Sequence, residues 1–367
     1  MSPRTNTNPH AVLTEEGAIV GVDLGKTVFQ LCIADSRWRA IEAKRLSRPQ
    51  FEHFFVNRDI ALVVMEACGT AHHWARWLQG LGIQVRLIPA QYVRAYVRRN
   101  KTDAADAAAL LEAARCAEIR PVRVKSIEQQ ALQTLHRTRA IWVATRTARI
   151  NALRGFCREF GIAFAQGARH GIDQITKVVG DADSALPALI RGAMTQLVEE
   201  VRQLEARIGQ LERELAEAAR HSPACKTLLS IPGVGLITAT ALVAATAGDV
   251  THFSSARHFG SWIGLTPREH SSANNRHLHG ISKRGDNQLR VLLTHGARSV
   301  LRMSAVAQTA GRPLDRMRAW AMSLQERANH NKAACALANK LARICYATLR
   351  DGKPYIGATA MPSVAAN

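Results

Sequence analysis

The chain has 367 residues, of which 47% are hydrophobic and 21% are charged, so it can bury a core and is not a disordered protein. Lys and Arg outnumber Asp and Glu by 49 to 29, and the net charge of +20 indicates a polyanionic partner, with nucleic acid favoured over an acidic membrane surface. The seven scattered cysteines include no C-x-x-C pair, which argues against a disulfide framework or a zinc ribbon and favours a reducing cytoplasm.

The N-terminal third of the sequence predicts strands followed by helices. Residues 1–16 lack the apolar core of a signal peptide and are expected to form a flexible tail. Four short β-branched segments then predict strands, the first two close enough to form an antiparallel hairpin: AIVGVDLG, VFQLCIA, IALVVMEA and IQVRLIP. From about Thr102 to Arg158 the sequence is rich in Ala and Arg and predicts helices. The expected fold of this region is therefore α/β.

A leucine-rich seam follows in the middle of the chain. Apolar residues are spaced alternately by four and three positions, as in a coiled coil: Leu197, Val201, Leu204, Ile208, Leu211 and Leu215. An amphipathic helix packed on its own domain has the same pattern. We expect the 197–215 segment to be a self-associating coiled coil that makes the protein a dimer or a tetramer.

The segment after residue 222 is rich in Gly and in basic residues. The stretch from Thr227 to Gly248 carries no charge, but Pro232, Gly233 and Gly235 interrupt it, so it predicts a buried turn and helix rather than a membrane span. It fits a helix-hairpin-helix in which the two glycines shape the turn and the amides of the next helix face a phosphate. A purely structural turn is the alternative.

Four carboxylates stand in a pattern typical of metal-dependent nucleases. Asp23 lies within the first predicted strand, Glu66 ends the third, and Thr102 can cap a helix on which Asp103 and Asp106 share one face. Carboxylate oxygens suit Mg²⁺, and two ions about 4 Å apart stabilise the entering and leaving oxygens on phosphorus. Each acid alone also fits a turn cap or a solvated face. The segment GVDLGK lacks the spacing of a phosphate-binding loop.

A basic loop surrounds the serine pair Ser271 and Ser272. A solvated surface loop is one interpretation of this segment. Its concentration of cationic side chains favours another, because such groups bind backbone phosphates and stabilise charge on a phosphoryl transition state. The residues predicted to bind nucleic acid are Gly233, Gly235, Arg268, Arg276, Lys283, Arg284 and Arg290.

These motifs resemble those of a known family. GVDLGK, VVMEACGT and NKTDAADA are similar to the RuvC-like (RNase H-type) domain of the DEDD insertion-sequence transposases of the "IS one-ten" family, which also includes the Piv-type DNA invertases. The segment from Gly264 to Arg290 resembles the family's transposase-twenty domain, with its pattern G-L-x-P-x-x-x-S-[SG]…I-[ST]-K-R-G…L-R. The resemblance implies a RuvC-like α/β domain at 17–135, a helical linker and coiled coil at 136–222, a mostly helical serine domain at 223–350, and flexible tails at 1–16 and 351–367.

The resemblance also implies a chemistry. In the family a serine of this loop attacks a DNA phosphate and leaves a covalent phosphoserine link. Counting from the serine that Gly usually follows indicates Ser272 as the nucleophile, with Ser271 as the second candidate, although Ala273 replaces that Gly here. The four carboxylates would hold Mg²⁺, as two ions, with Mn²⁺ as a substitute, at a composite site of both domains. The implied partners are double-stranded DNA at the element ends and target, and a structured guide RNA.

Two other functions compete with this one. A structure-specific nuclease of the Holliday-junction resolvase type would use metal-activated water, with the serines as bystanders. A non-catalytic nucleic-acid-binding protein would use the acids only as salt-bridge partners. The serine loop favours the recombinase over the resolvase, and the D…E…D-x-x-D order argues against a non-catalytic role. A recombinase is expected in the bacterial cytoplasm, at the nucleoid.

Overall fold

A computed structural model describes residues 17–56, 58–97, 102–164, 168–272 and 275–357, with only the backbone of Asp103 and of residues 168–170. The tail predicted at 1–16, the part of the C-terminal tail beyond residue 357, and Ala273 lie outside the described residues. The chain divides into two compact units between Ile127 and Glu128. We refer to them as the N-terminal unit and the C-terminal unit.

A five-stranded mixed sheet forms the centre of the N-terminal unit. Its strands lie in the order β3-β2-β1-β4-β5. Strand β2 is antiparallel to both of its neighbours, β1 and β3, and β1, β4 and β5 run parallel. All four predicted strands and the predicted hairpin are confirmed, whereas β3 was missed because most of its side chains are exposed and polar. The bounds are β1 (Ala18–Leu24), β2 (Val28–Ala34), β3 (Ala40–Ser47), β4 (Ile60–Glu66) and β5 (Gln84–Ile88).

Helices cover both faces of this sheet, which explains why β4 is apolar at nearly every position. On one face, Phe29 of β2 contacts Phe51 and Trp74, with ring centroids 4.6 to 5.3 Å apart. On the other face, Ala107, Leu110 and Leu111 pack against the sheet. The helices are α1 (Arg48–Phe55), α2 (Ala71–Gly80), the short α3 (Ala90–Val93) and α4 (Asp103–Arg115).

The C-terminal unit is mostly helical and contains one short β-hairpin. Its largest apolar core is built from the helices that follow residue 222. The predicted boundary at residue 135 falls inside its first helix. The bounds are α5 (Ile127–Glu159), α6 (Ala168–Gly180), α7 (Ala188–Arg220), α8 (Pro223–Leu228), α9 (Leu236–Thr246), α10 (Ala256–Ile263), β6 (Pro267–Glu269), β7 (Leu278–Ile281), α11 (Asn287–Thr309), α12 (Arg316–Arg327) and α13 (His330–Asp351).

The predicted coiled-coil seam lies on α7, and its own chain buries it. Val201, Leu211 and Leu215 are at most 3% exposed within a single chain. Ion pairs join α7 to α5 in antiparallel order, since Arg139 pairs with Glu212 at 2.7 Å and Arg149 pairs with Glu200 at 2.7 Å. Part of the seam packs against α5 and α6 of the same chain, because Val198 and Val201 belong to one apolar core with residues of those two helices. Association of copies through 197–215 stays a prediction.

The cysteines and the uncharged stretch of the C-terminal unit have the following structural states. All seven cysteines are free thiols. The uncharged stretch from Thr227 to Gly248 is the end of α8, a turn and α9, as predicted. Across the described ranges, no helix is long and apolar enough to cross a membrane.

Two buried histidines are expected to make the protein less stable in acid. Burial, assisted by the charges of Lys125 and Arg76, lowers the pKa of His72 to about 4, and its Nδ1 accepts the Lys125 amide N–H at 3.2 Å. Burial, assisted by Arg139, also lowers the pKa of His136 to about 4. In the unfolded chain the two imidazoles take up protons near pH 6.5, whereas in the folded chain they do so only near pH 4. The free energy of unfolding is therefore unaffected above pH 6.5 and falls as the pH drops towards 4.

Urea unfolding at pH 7.5 and pH 5.0 measures this effect. We expect a loss on the order of 2 kcal/mol per histidine between the two values. The variant His72→Asn/His136→Leu has to lose less stability than the wild type over the same interval. An equal loss in both proteins would assign the acid sensitivity to other groups.

Candidate active site

Asp23 and Glu66 lie side by side at one edge of the sheet. Strands β1 and β4 are parallel and pair Val22 with Met65, so the next residue of each strand is a carboxylate. Neighbouring strands are about 4.8 Å apart, and successive side chains alternate between faces. Ile19 and Leu62 belong to the core on the α4 side, which places Asp23 and Glu66 on that side too. Both acids are half-buried.

Helix α4 brings a third carboxylate to the same face. A Cβ atom at Gly21 would clash with the carbonyl oxygen of Ala107, so only glycine permits this close approach of β1 and α4. Asp106, half-buried, precedes Ala107 directly. The predicted cap is confirmed, since the Thr102 hydroxyl accepts the amide N–H of Ala105 at 3.2 Å.

The donor set at this edge suits a hard divalent cation. Asp23, Glu66 and Asp106 offer only carboxylate oxygens, which fits Mg²⁺ or Mn²⁺ better than zinc. Among the residues that the structure describes, no group of three or more His, Cys, Asp or Glu side chains already has a metal-binding arrangement. The side chain of Asp103, the fourth predicted ligand, lies outside that description. The structure thus places Asp23 and Glu66 on one face of the sheet and Asp106 on the helix that packs against that face, without showing a complete metal site.

The two serines lie near the tip of the β6–β7 hairpin. Ser272 and Asn275 exchange backbone hydrogen bonds of 3.2 and 3.0 Å, and both serines are exposed. The hairpin is anchored at its base by the end of α10. The Lys283 amide donates to the Gly264 carbonyl at 3.1 Å, and a Cβ at Gly285 would clash with the Trp262 carbonyl. The G-L part of the sequence motif, at Gly264, and its K-R-G part, from Lys283 to Gly285, are therefore in contact in the fold.

The serines differ in their hydrogen bonds. The Ser271 hydroxyl donates to Glu269 Oε1 at 2.8 Å and accepts the His277 amide N–H at 3.3 Å. Arg276 Nε also donates to Glu269 Oε1, at 3.1 Å, and these bonds from Ser271 and Arg276 lower the pKa of Glu269. The Ser272 hydroxyl has no hydrogen bond to any described residue. Sequence reasoning missed Glu269, although it is the single acid in an otherwise basic loop.

The predicted cationic residues do not share one environment. Arg268, Arg276, Lys283 and Arg284 are exposed. Arg290 is instead only 8% exposed, and it donates to the Ile263 carbonyl at 3.0 Å and to Asn287 Oδ1 at 2.6 Å. Its guanidinium ties α11 to the end of α10, so the structure gives it a packing role where the sequence predicted a phosphate contact.

The predicted helix-hairpin-helix consists of α8, a turn and α9. Gly233 has φ +85°, and a Cβ there would clash with Val300 and with the Gly296 carbonyl of α11. Gly233 therefore serves close packing against α11. Gly235 is exposed at the start of α9, with no atoms within 4 Å of its Cβ position. A phosphate contact at the α9 amides stays a prediction for Gly235.

Comparison with known proteins agrees with these features. Residues 20–161 match the DEDD transposases of the IS110 type, and residues 225–311 match the family described as "Transposase IS116/IS110/IS902 family". A probable family 20 transposase of Pseudomonas aeruginosa is 43% identical over 90% of this chain and 96% of its own length. The transposase for insertion sequence element IS1111A of Coxiella burnetii is 40% identical over 92% of this chain and 91% of its own length.

A more distant relative is named for a different role. The pilin gene-inverting protein of Moraxella bovis is 27% identical over 92% of this chain and 97% of its own length. The resemblance to the "IS one-ten" transposases and the Piv-type invertases is thereby confirmed. The chain belongs to the IS116/IS110/IS902 transposase family and is a transposase, an enzyme that cuts and rejoins DNA.

Proposed function

We propose that this transposase cuts and rejoins the DNA of an insertion sequence by attack of Ser272 on a phosphate, assisted by divalent metal at Asp23, Glu66, Asp103 and Asp106. The observation that supports the metal part is that Asp23 and Glu66 end adjacent strands on one face of the sheet, while Asp106 lies on α4, which packs against that face. The mixed sheet with acids at neighbouring strand ends also supports a RuvC-like N-terminal unit.

Hydrogen bonding favours Ser272 over Ser271 as the nucleophile. The Ser271 hydroxyl is engaged as a donor by Glu269 and as an acceptor by the His277 amide, so it acts as a strut across the hairpin. Ser272, one residue closer to the tip, keeps its hydroxyl available to an incoming phosphate. A competing assignment comes from the ionised Glu269, because a carboxylate that is oriented by Arg276 can also act as a base for Ser271.

The proposed reaction conserves the phosphodiester. Ser272 Oγ forms a bond to phosphorus, the bond from phosphorus to one bridging oxygen of the strand breaks, and the serine proton is lost while the leaving oxygen gains one. Rejoining reverses these steps with a second strand end. Bound Mg²⁺, or Mn²⁺ in its place, would supply Lewis-acid stabilisation of the phosphate charge. The exposed cations Arg268 and Lys283 would hold adjacent phosphates.

The partners follow from the charge of the chain and from the resemblance. A net charge of +20 suits double-stranded DNA at the element ends and target, and it suits a structured guide RNA equally well. Formation of a dimer or a tetramer through the 197–215 segment remains part of the proposal. Action on bacterial DNA would place the protein in the cytoplasm, at the nucleoid.

Trapping of a covalent intermediate tests the reaction. The purified protein is incubated with the element ends, the flanking non-coding RNA and Mg²⁺, and then denatured and extracted with phenol. We expect DNA to stay attached to the protein, and mass spectrometry after nuclease digestion to find the nucleotide on the peptide with Ser271 and Ser272. Cut DNA without an adduct would instead indicate hydrolysis of the resolvase type.

Neutralising the basic turn after β7 should weaken binding to duplex DNA. Lys283→Gln/Arg284→Gln removes two exposed charges, and the slope of log K against log salt should flatten by up to about 1.8, since each phosphate contact contributes about 0.9. Fluorescence anisotropy over a salt series measures this slope. The control Arg302→Gln/Arg312→Gln removes two exposed charges elsewhere in the unit. Equal slopes in both variants would mean that Lys283 and Arg284 make no specific phosphate contact.

A further inference from the structure

A large groove lies within the C-terminal unit, beside the serine hairpin. Its volume is about 1900 Å³. One wall is formed by β6, β7 and the turn at Lys283, and the opposite wall by α13 with Trp320 of α12. The segment 353–357 lines one end, where the Tyr355 amide donates to the Ser230 hydroxyl at 2.7 Å.

The groove is strongly basic. Helix α13 buries Leu337, Leu341 and Cys345 in the core, and its other face presents Lys332, Lys340 and Arg343 to the groove. Lys332 and Arg343 are 11 positions apart, about 16 Å along the helix axis.

The hairpin wall and both ends add further cations to those of α13. These are Arg257, Arg268, Lys283 and Lys353. None of the seven cationic side chains forms an ion pair with a described residue. The groove's one acid, Asp351, is paired with Arg350 at 2.7 Å. The lining therefore carries seven cationic side chains against one carboxylate, an excess of positive charge.

The same groove also offers apolar and aromatic surface. Lys340 Nζ lies 4.2 Å from the centroid of the Trp320 ring, which fixes the lysine above the indole. Leu278 is 52% exposed and Ile356 is 85% exposed. In a duplex the base faces are stacked inside and cannot meet such surfaces, whereas a single strand presents both its phosphates and its bases.

We infer that this groove binds a single-stranded segment of nucleic acid, with its phosphates on the α13 cations and its bases against the apolar wall. The inference rests on the proposed function, because the hairpin that carries Ser271 and Ser272 forms one wall of the groove. A strand held there would pass beside the hairpin. Partial burial and the adjacent Arg343 and Arg316 lower the pKa of Lys340, as expected where positive charges are crowded.

Charge also argues against residues 358–367 as the occupant of the groove. Residues 358–367, ATAMPSVAAN, contain no charged side chain, so they do not complement seven cations. A polyanion does, and release of its counterions makes such binding favourable and dependent on salt.

Fluorescence anisotropy with labelled 20-mers tests the inference. Oligo-dT, oligo-U and a duplex of equal length are titrated with the full chain in EDTA, so that binding is measured without cleavage. Lys332→Gln/Arg343→Gln removes two exposed groove charges, and Arg302→Gln/Arg312→Gln is the matched control outside the groove. Lys340→Gln probes the cation above Trp320, and a melting curve of each variant checks its folding.

We expect the groove variant to bind single strands at least tenfold more weakly than wild type, with a salt slope lower by about 1.4, since each contact to a single strand contributes about 0.7. The control should stay within twofold. Comparing oligo-dT with oligo-U shows whether the strand is DNA or RNA. Equal losses in the groove variant and the control, or a loss of duplex binding in the groove variant as large as its loss of single-strand binding, would overturn the inference. Loss of cleavage alone would affect the proposed function and leave this binding result unchanged.

Discussion

Replacing Ser272 by alanine is expected to abolish DNA cleavage and joining while DNA binding stays at the wild-type level. The substitution removes the proposed attacking oxygen from an exposed position, so the hairpin should keep its structure. No neighbour can replace that oxygen without moving by an ångström or more, and misplacement on that scale already costs about 100-fold in rate. Covalent adduct formation on a denaturing gel, measured with Mg²⁺ present, gives the result directly.

The variant Ser271→Ala separates the nucleophile from the strut. It removes the hydrogen bonds to Glu269 and His277 but leaves Ser272 in place, so we expect a rate lower by about 10- to 100-fold and some residual adduct. The exposed Ser323 offers a matched control, and Ser323→Ala should be fully active. Total loss in Ser271→Ala with activity in Ser272→Ala would reverse the assignment. Wild-type cleavage by both variants would exclude the phosphoserine mechanism and leave a resolvase-type nuclease.

Neutralising the carboxylates is expected to abolish cleavage through loss of the metal. Asp23→Asn, Glu66→Gln and Asp106→Asn each remove one charge from the proposed metal site and preserve the side-chain shape. Metal assistance is worth several kcal/mol of transition-state stabilisation, so cleavage should fall by about 1000-fold or more. Asp103→Asn should behave in the same way if it is the fourth ligand.

Calorimetric titration of Mg²⁺ and Mn²⁺ gives an independent measure of the same site. Each neutral variant should bind the ions more weakly than wild type, and a melting curve of each variant checks its folding. Glu118, exposed in the same unit, supplies the control Glu118→Gln, which should bind metal and cut DNA normally. Retained metal binding and cleavage in Glu66→Gln would show that Glu66 is structural and that the acids do not form one site.

Local patterns in the sequence were sufficient for several features of this protein. The β-branched runs predicted β1, β2, β4 and β5 because strand formation depends on neighbouring side chains. Thr102 predicted the start of α4 because an N-cap is a contact over three residues. The strand-end acids and the family motifs could also be recognised from the sequence, since each motif is a short contiguous segment.

Tertiary packing decided what local patterns leave open. The seam of α7 has the same periodicity whether another copy or α5 covers it, and only the fold shows that α5 and α6 of its own chain pack against part of it. In the sequence, Arg290 does not differ from the other cations of the basic loop. Only the structure shows that it donates to the carbonyl of Ile263, 27 positions earlier in the chain. The groove escaped prediction because Lys283 and Arg343 are 60 residues apart, on a hairpin and a helix that meet only when the core assembles. Periodicity in the sequence determines which face of an element is apolar, but the burial of that face against one partner among several depends on the packing of the whole unit.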